Sequence, residues 1–116
     1  MIRMPELCEF LKPLELAEFS SDRVRKILKK TDRMAIEMIC YKKGQSTVIH
    51  KHPKQDELFF VLKGEGVFLV DDQEKTVSEG TLIYVPAGSE HGIMANLSEE
   101  FIVYFIKAPN KTTDPS

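Results

Sequence analysis

Between residues 34 and 106 the apolar side chains fall into short runs at period two, and glycine, proline or clustered acids cut each run from the next. This rhythm constrains the chain more than any other feature. Side chains alternate faces along a strand, so a strand half-buried in a sheet alternates apolar with polar. Met34, Ile36, Met38 and Cys40 fall on one face of such a segment, with Ala35, Glu37, Ile39 and Tyr41 on the other, up to a stop at Lys43 and Gly44. Residues 46–52 are β-rich and close at Pro53, whose ring removes a ladder donor and restricts the residue before it. Residues 58–62 and 67–70 flank a glycine-rich turn at Gly64 and Gly66, and Asp71, Asp72 and Gln73 turn the chain toward residues 75–77. Residues 81–85 lie between Gly80 and the Pro86, Ala87, Gly88 turn, and residues 101–106 form a late apolar strand. Roughly eight short strands with no long helical stretch among them predict an all-β sandwich or barrel, not an α/β fold.

The ends are patterned differently. Leu7, Phe10, Leu11, Leu14 and Leu16 suit either a short helix broken at Pro13 or an arm packed on a neighbouring surface. Residues 23–30 place Val24, Ile27 and Leu28 at helical spacing, so pattern alone favours a helix there. The basic cluster on that segment, Arg23, Arg25, Lys26, Lys29 and Lys30, reads as a solvated face. From Ala108 to the end, two prolines among Asn, Lys and Thr predict a frayed tail.

A chain of 116 residues with 42% hydrophobic and 29% charged has room for one globular domain. Its net charge of -2 supplies no positive field for a nucleic-acid backbone, which excludes nucleic acid as the expected partner. The first residues lack the apolar run of a signal peptide, and no stretch is apolar enough to span a bilayer, so a cytoplasmic protein with no membrane association is expected. Cys8 and Cys40 have no CxxC spacing and no histidine close in sequence. Both are expected to be reduced, small buried hydrophobes. The alternative for Cys40 is that its sulfur points toward a bound ion. No GxGxxG, P-loop or nucleophile elbow is present.

The three histidines of the chain all fall where a metal site would want them. His50 and His52 are one residue apart on an extended segment, so their side chains leave the same face and converge. Glu57 starts the next strand after a four-residue link, long enough to set a carboxylate beside the imidazoles. His91 follows the Pro86 to Gly88 turn, which brings in a third imidazole from a later strand. A single histidine on an apolar strand is usually a hydrogen-bonded core residue, and only the combination of His50, His52, Glu57 and His91 outweighs that base expectation. With Glu57 facing inward, period two also turns Phe59 and Val61 inward, and beyond His91 it turns Ile93 and Ala95 inward. Three nitrogens and one oxygen on an octahedral ion leave two positions for water, dioxygen or a bidentate substrate.

Gly44, five residues, His50-Lys51-His52, four residues, Glu57, six residues and Gly64 match the first motif of the cupin family at every spacing. Gly80, five residues, Pro86-Ala87-Gly88, two residues and His91 match the second. The chain thus resembles a small single-domain cupin over roughly residues 22–108. One departure exists: the asparagine that follows the last histidine would fall at Ala95, whereas Asn96 sits one residue on, a shift that a bulge or longer loop would absorb.

The resemblance implies a double-stranded β-helix, or jelly-roll barrel, with a short N-terminal arm: residues 1–116 as one domain, with 1–21 the arm, 22–108 the barrel core and 109–116 a flexible tail. It implies an inward-facing divalent transition metal, Fe, Mn, Ni or Zn, on His50, His52, Glu57 and His91. It makes residues 23–30 a strand paired with residues 34–42, against the helical pattern. It implies a homodimer that pairs or exchanges N-terminal strands. It also offers two functions: a metal-dependent enzyme of dioxygenase, isomerase or decarboxylase type acting on a small oxygen-rich molecule, or a non-catalytic module that binds or senses a small ligand or metal. Glu90 reads as a rim carboxylate sooner than an outer partner of His91, and Gln45, Lys54 and Tyr84 are possible substrate contacts at the mouth. No arginine cluster is expected near the ligands, which disfavours a sugar phosphate.

Overall fold

The computed structural model of the chain describes residues 7–110. After a 3-10 turn at Pro13–Leu16, the period-two segments form strands β1 (Val24–Lys30), β2 (Ala35–Lys42), β3 (Asp56–Lys63), β4 (Glu65–Val70), β5 (Gln73–Ser78), β6 (Leu82–Val85), β7 (His91–Asn96) and β8 (Glu100–Ala108). All pair antiparallel, in a five-stranded sheet ordered β1-β2-β8-β3-β6 and a three-stranded sheet ordered β5-β4-β7. Consecutive strands repeatedly cross between the sheets, the jelly-roll arrangement expected from the resemblance.

Alternation decides what lies between the sheets. Tyr41 stands opposite Phe101, Phe59 opposite Phe105 and Val61 opposite Val103, and all six are buried. Phe68 and Ile93 meet them from the smaller sheet. The Phe59 ring stacks on Phe105 with centroids 5.0 Å apart and meets Phe68 edge-on at 5.0 Å. Each such side chain contributes roughly 1.5–3 kcal/mol by leaving water. On the outer face of the five-stranded sheet Met38, Cys40 and Ile102 form a second buried cluster, roofed by Ala17 and Phe19 of the arm together with Val24 and Leu28.

Several local expectations change. Residues 24–30 are strand, as the resemblance implied and the helical pattern did not. Val24 and Leu28, four apart, share a face in a strand as well as in a helix, so that spacing does not discriminate; pairing with β2 decides it. The register skips Leu28, a bulge between Ile27 and Lys29. Residues 46–52 are not a full strand: a bridge between His50 and His91 and a hydrogen bond from Thr47 N to Ile93 O hold them along β7. Cys8 is exposed, not buried, and Cys40 is buried on the outer face, pointing away from the inter-sheet cavity. The frayed tail does not begin at Ala108, because the Gln55 amide donates to Pro109 O at 2.9 Å and Asn110 O at 3.0 Å, while Asn110 donates to Thr31 O at 2.8 Å. Residues 1–6 of the arm and 111–116 of the tail lie outside the described residues.

The one-residue shift at Asn96 is a bulge. Val67 faces Ala95 while the next residue, Phe68, faces Ile93, so β7 holds one residue more than its partner. Ile93 is buried as expected, but beyond the bulge it is Asn96 that is buried, with Ala95 only half-buried. Asn96 Oδ1 accepts from Ser98 N at 3.2 Å.

Candidate metal centre

The four expected residues come from three parts of the jelly roll, His50 and His52 from one segment, Glu57 from β3 and His91 from β7, and the fold brings all four together. Glu57 lies on β3 in the larger sheet, opposite Val85 and Lys107. His91 opens β7 in the smaller sheet, opposite Val70. His50 and His52 line the open end, where His50 exchanges two backbone hydrogen bonds with His91 at 2.8 and 3.0 Å. The turn between β6 and β7 is braced on both sides: Gly88 N donates to His52 O at 3.0 Å, and Ala87 N to Asp56 Oδ1 at 2.9 Å. Asp71 N and Oδ1 grip the Glu90 backbone, which fixes the chain one residue before His91. Gly92 lets residues 47–50 approach, since a Cβ there would lie 2.8 Å from Ile49 Cδ1.

One nitrogen from each imidazole and one Glu57 oxygen all lie within 4.8 Å of one another. Glu57 and His91 are buried, at 2% and 1% exposure, while His50 and His52 form the solvent side. The tautomers follow from the backbone. His91 Nδ1 is 3.0 Å from Ser89 O and His50 Nδ1 is 2.8 Å from Val48 O, and a carbonyl can only accept, so both Nδ1 atoms carry the proton. Each neutral ring then presents a bare Nε2 lone pair to the cluster. His91 Nε2 lies 3.1 Å and His52 Nε2 3.2 Å from Glu57 Oε1. Buried Glu57 Oε1 and His91 Nε2 have no hydrogen-bond partner, so acceptor faces acceptor.

This arrangement needs a positive charge at its centre, either a proton or a cation. Burial pushes the His91 imidazole pKa down, but the adjoining Glu57 carboxylate, with Ser89 O and Asp71, outweighs it and the net shift is upward. Burial also lowers His52, and there it prevails: Glu57 opposes it, while His50, Lys107 and His91 reinforce it, so the neutral ring is favoured. Two borderline nitrogens with fixed tautomers, a third neutral imidazole and a hard carboxylate oxygen suit a divalent transition metal. The Ser89 and Val48 carbonyls play the orienting role that a carboxylate plays elsewhere.

Glu90 is exposed, bonded through its backbone to Asp71, and is a rim residue. Gln45 spends its amide on Lys42 N and Ser20 O. Tyr84, 61% exposed, lines a separate groove beside Leu82, and Lys54 is exposed outside the cavity walls. The cluster instead opens into a cavity of about 310 Å³ walled by Ile39, Tyr41, Phe59 and Phe105 and, at its mouth, by Arg23, Arg25 and Lys107. These basic residues correct two expectations: part of the cluster on residues 23–30 faces the cavity, and arginines do stand near the ligands. Arg25 lies on β1, with Arg23 immediately before the strand, and both line the cavity.

A family model described as "Cupin domain" matches residues 37–107. A 50-residue segment is 34% identical to an uncharacterized protein of Methanocaldococcus jannaschii, covering 43% of this chain and 40% of that protein. A 65-residue segment is 31% identical to an oxalate-binding protein of Thermotoga maritima, covering 54% of each. The matched segments thus span about half the length of these curated relatives. Among solved structures, a Thermus thermophilus protein superimposes with a TM-score of 0.83 at 23% identity, over 88% of this chain and 98% of the other. An RmlC-like cupin protein from Desulfovibrio desulfuricans gives 0.79 at 26% identity, over 88% and 97%. With two antiparallel sheets in jelly-roll order, both histidine-bearing motifs converging at one end, and a family model matching more than half its length, the chain belongs to the cupin family.

Proposed function

We propose that His50, His52, Glu57 and His91 hold one divalent transition metal, Fe, Mn, Ni or Zn, and that the protein is a metal-dependent enzyme of dioxygenase or isomerase type acting on a small oxygen-rich molecule. The observation that carries this is the buried, partnerless pair Glu57 Oε1 and His91 Nε2, two lone pairs facing each other. A bound metal supplies Lewis acidity and positions for a chelating substrate. The chain's own contribution is to fix two tautomers through Val48 O and Ser89 O, to balance charge through Glu57, and to keep one side of the site dry with Phe59 and Phe105. The protein is proposed to act as a cytoplasmic homodimer.

The second reading is a binding module that retains a small ligand without turnover. Similarity to a relative named for oxalate binding favours it. Both readings need the metal, and turnover separates them. Elemental analysis of protein purified without chelator should find about one transition metal per chain. Less than half an equivalent, with no titrated metal binding tighter than roughly micromolar, would sink both. Protein loaded separately with Fe(II), Mn(II), Ni(II) and Zn(II) is then followed by mass spectrometry on diols, keto acids, thiols and sugars, with and without oxygen. Metal-dependent product that is absent in Glu57→Gln and His52→Ala supports the enzyme. Oxalate-dependent stabilisation with no product across the panel supports the binding module.

A further inference from the structure

We infer that the mouth of the cavity is a carboxylate subsite formed by Arg23, Arg25 and Lys107 beside the four-ligand cluster, so that the small molecule taken by the site is an organic acid. The inference rests on the proposed metal site for the molecule's other anchor, but on different residues for this one.

The register places the charges on one surface. Lys107 stands directly opposite Glu57 on one side and Ala35 on the other, and Glu37 is two residues from Ala35. Arg25 pairs with Ile39, two residues beyond Glu37, and Arg23 is two residues before Arg25. At period two Glu57, Lys107, Glu37 and Arg25 share the inner face of the larger sheet, and Arg23, one residue before β1, lines the same cavity. Glu57, Lys107, Glu37, Arg25 and Arg23 therefore form one polar band at the open end, with apolar rows behind it.

Glu37 explains why the band is fixed. It is 2% exposed, accepts from Arg25 Nε and Nη2 at Oε1, and faces Lys107 Nζ at 3.2 Å with Oε2. Burying such a carboxylate gains little stability over a well-packed apolar residue of similar volume. Its effect here is positional, because one buried anion pins two cations at the wall of the cavity. It neutralises only one of them, and Arg23 adds a third positive group. The mouth keeps an excess of positive charge that no side chain lining the cavity offsets, since Glu57 is committed to the cluster.

Donor geometry sets the class of anion. Arg25 has already given Nε and one Nη2 proton to Glu37, which leaves its Nη1 edge, and Lys107 retains further ammonium protons. Arg23 Nη1 lies 3.4 Å from Ser46 O, leaving most of its guanidinium uncommitted at the rim. These few convergent donors match the two oxygens of a carboxylate better than the three oxygens and double charge of a phosphate ester. Beyond them the walls are Ile39, Tyr41, Phe59 and Phe105, so the body of the acid is short and carries no further charge on that side.

The test is calorimetry of malonate, succinate and 2-oxoglutarate binding, with malonamide and phosphoglycolate as controls, on Ni(II)-loaded and metal-stripped protein. At least one acid should bind, malonamide should not, and Arg25→Gln and Lys107→Gln should each weaken the acid about tenfold or more. Ni(II) affinity, measured separately, should stay within about twofold in Arg25→Gln, because Arg25 belongs neither to the cluster nor to the charges acting on it. Since either change leaves Glu37 with one partner, the double variants with Glu37→Gln and the single Arg23→Gln, which leaves Glu37 untouched, provide folded alternatives. Acid binding that is unchanged in the folded variants, equal binding of malonamide, failure of every acid on both forms, or tighter binding of phosphoglycolate would each overturn the subsite. If Ni(II) does not bind but acid binding still falls in the variants, the metal proposal fails and the subsite stands. If Ni(II) binds and the acids ignore the variants, the subsite fails alone.

Discussion

Glu57 Oε1 lies between two histidine nitrogens with no hydrogen-bond donor of its own, and its substitution separates metal binding from folding. Glu57→Gln should weaken metal binding by more than about 100-fold, beyond what losing an outer partner of a ligand costs. The same change should leave the thermal midpoint of the metal-stripped chain equal or higher, because a Gln amide is neutral and can donate to the His91 Nε2 that otherwise faces an acceptor. Metal titration and melting of the stripped variant check both halves. Tyr41 gives a pH signature: it is 1% exposed, and burial, opposed by its Thr47 hydrogen bond, pushes its pKa up to about 12. The folded chain thus favours the neutral phenol, whose stabilising effect is complete below the ordinary value of 10 and is lost as pH rises from about 10 to 12. Two units correspond to roughly 2.7 kcal/mol. Urea midpoints at pH 8.5 and 11.5 should fall more in the parent than in Tyr41→Phe; equal falls would contradict this. The cysteines differ too, since Cys8 is exposed whereas burial raises the Cys40 thiol. Iodoacetamide should modify Cys8 in the native protein and Cys40 only after denaturation, read by mass spectrometry.

At the scale of elements, turns and register determine where the site residues sit. Gly64 joins β3 to β4 with φ +84, and a Cβ there would lie 2.2 Å from Glu100 O. Gly44 has φ +88 but nothing within 4 Å. Gly44→Ala should therefore cost only the backbone strain, about 1 kcal/mol, whereas Gly64→Ala adds a clash with main chain and should cost at least about 2 kcal/mol more. Paired denaturant curves measure the difference, and equal losses would show that the β3–β4 turn relaxes freely. The β1 strand shows the limit of local pattern. Val24 and Leu28 fit helix and strand alike, and its identity comes from pairing with β2, a contact between distant parts of the sequence. The bulge in β7 is similar: spacing displayed the displaced Asn96, but only the partner strand shows that Met94 is the residue skipped.

For the whole molecule, the aromatic and aliphatic core forms from both sheets without the metal, so stripping metal should lower the thermal midpoint and leave a cooperative transition. At a hundredfold excess over the dissociation constant the linkage is about 2.7 kcal/mol; an unchanged midpoint after verified removal would contradict the proposed site. The N-terminal arm exposes Leu7 and Phe10 at 86% and 93% while Ala17 and Phe19 stay packed on the outer sheet. Exposed apolar side chains next to an anchored segment suit coverage by a second chain, so deleting residues 1–20 should shift the solution mass toward monomer in sedimentation. A full-length chain that is monomeric at high concentration would end the homodimer proposal. Of all this, the sequence alone determined most of the strands from β2 onward, their turns and the four candidate ligands, because period-two alternation and ligand spacing are local properties written along the chain. Pairing with β2 overruled the local helical pattern of β1, and the tertiary structure alone decided that Cys40 faces away from the cavity and that Arg23, Arg25 and Lys107 stand at its mouth. Those placements depend on which strand pairs with which and in what register, and the free energy that fixes pairing comes from side chains far apart in sequence.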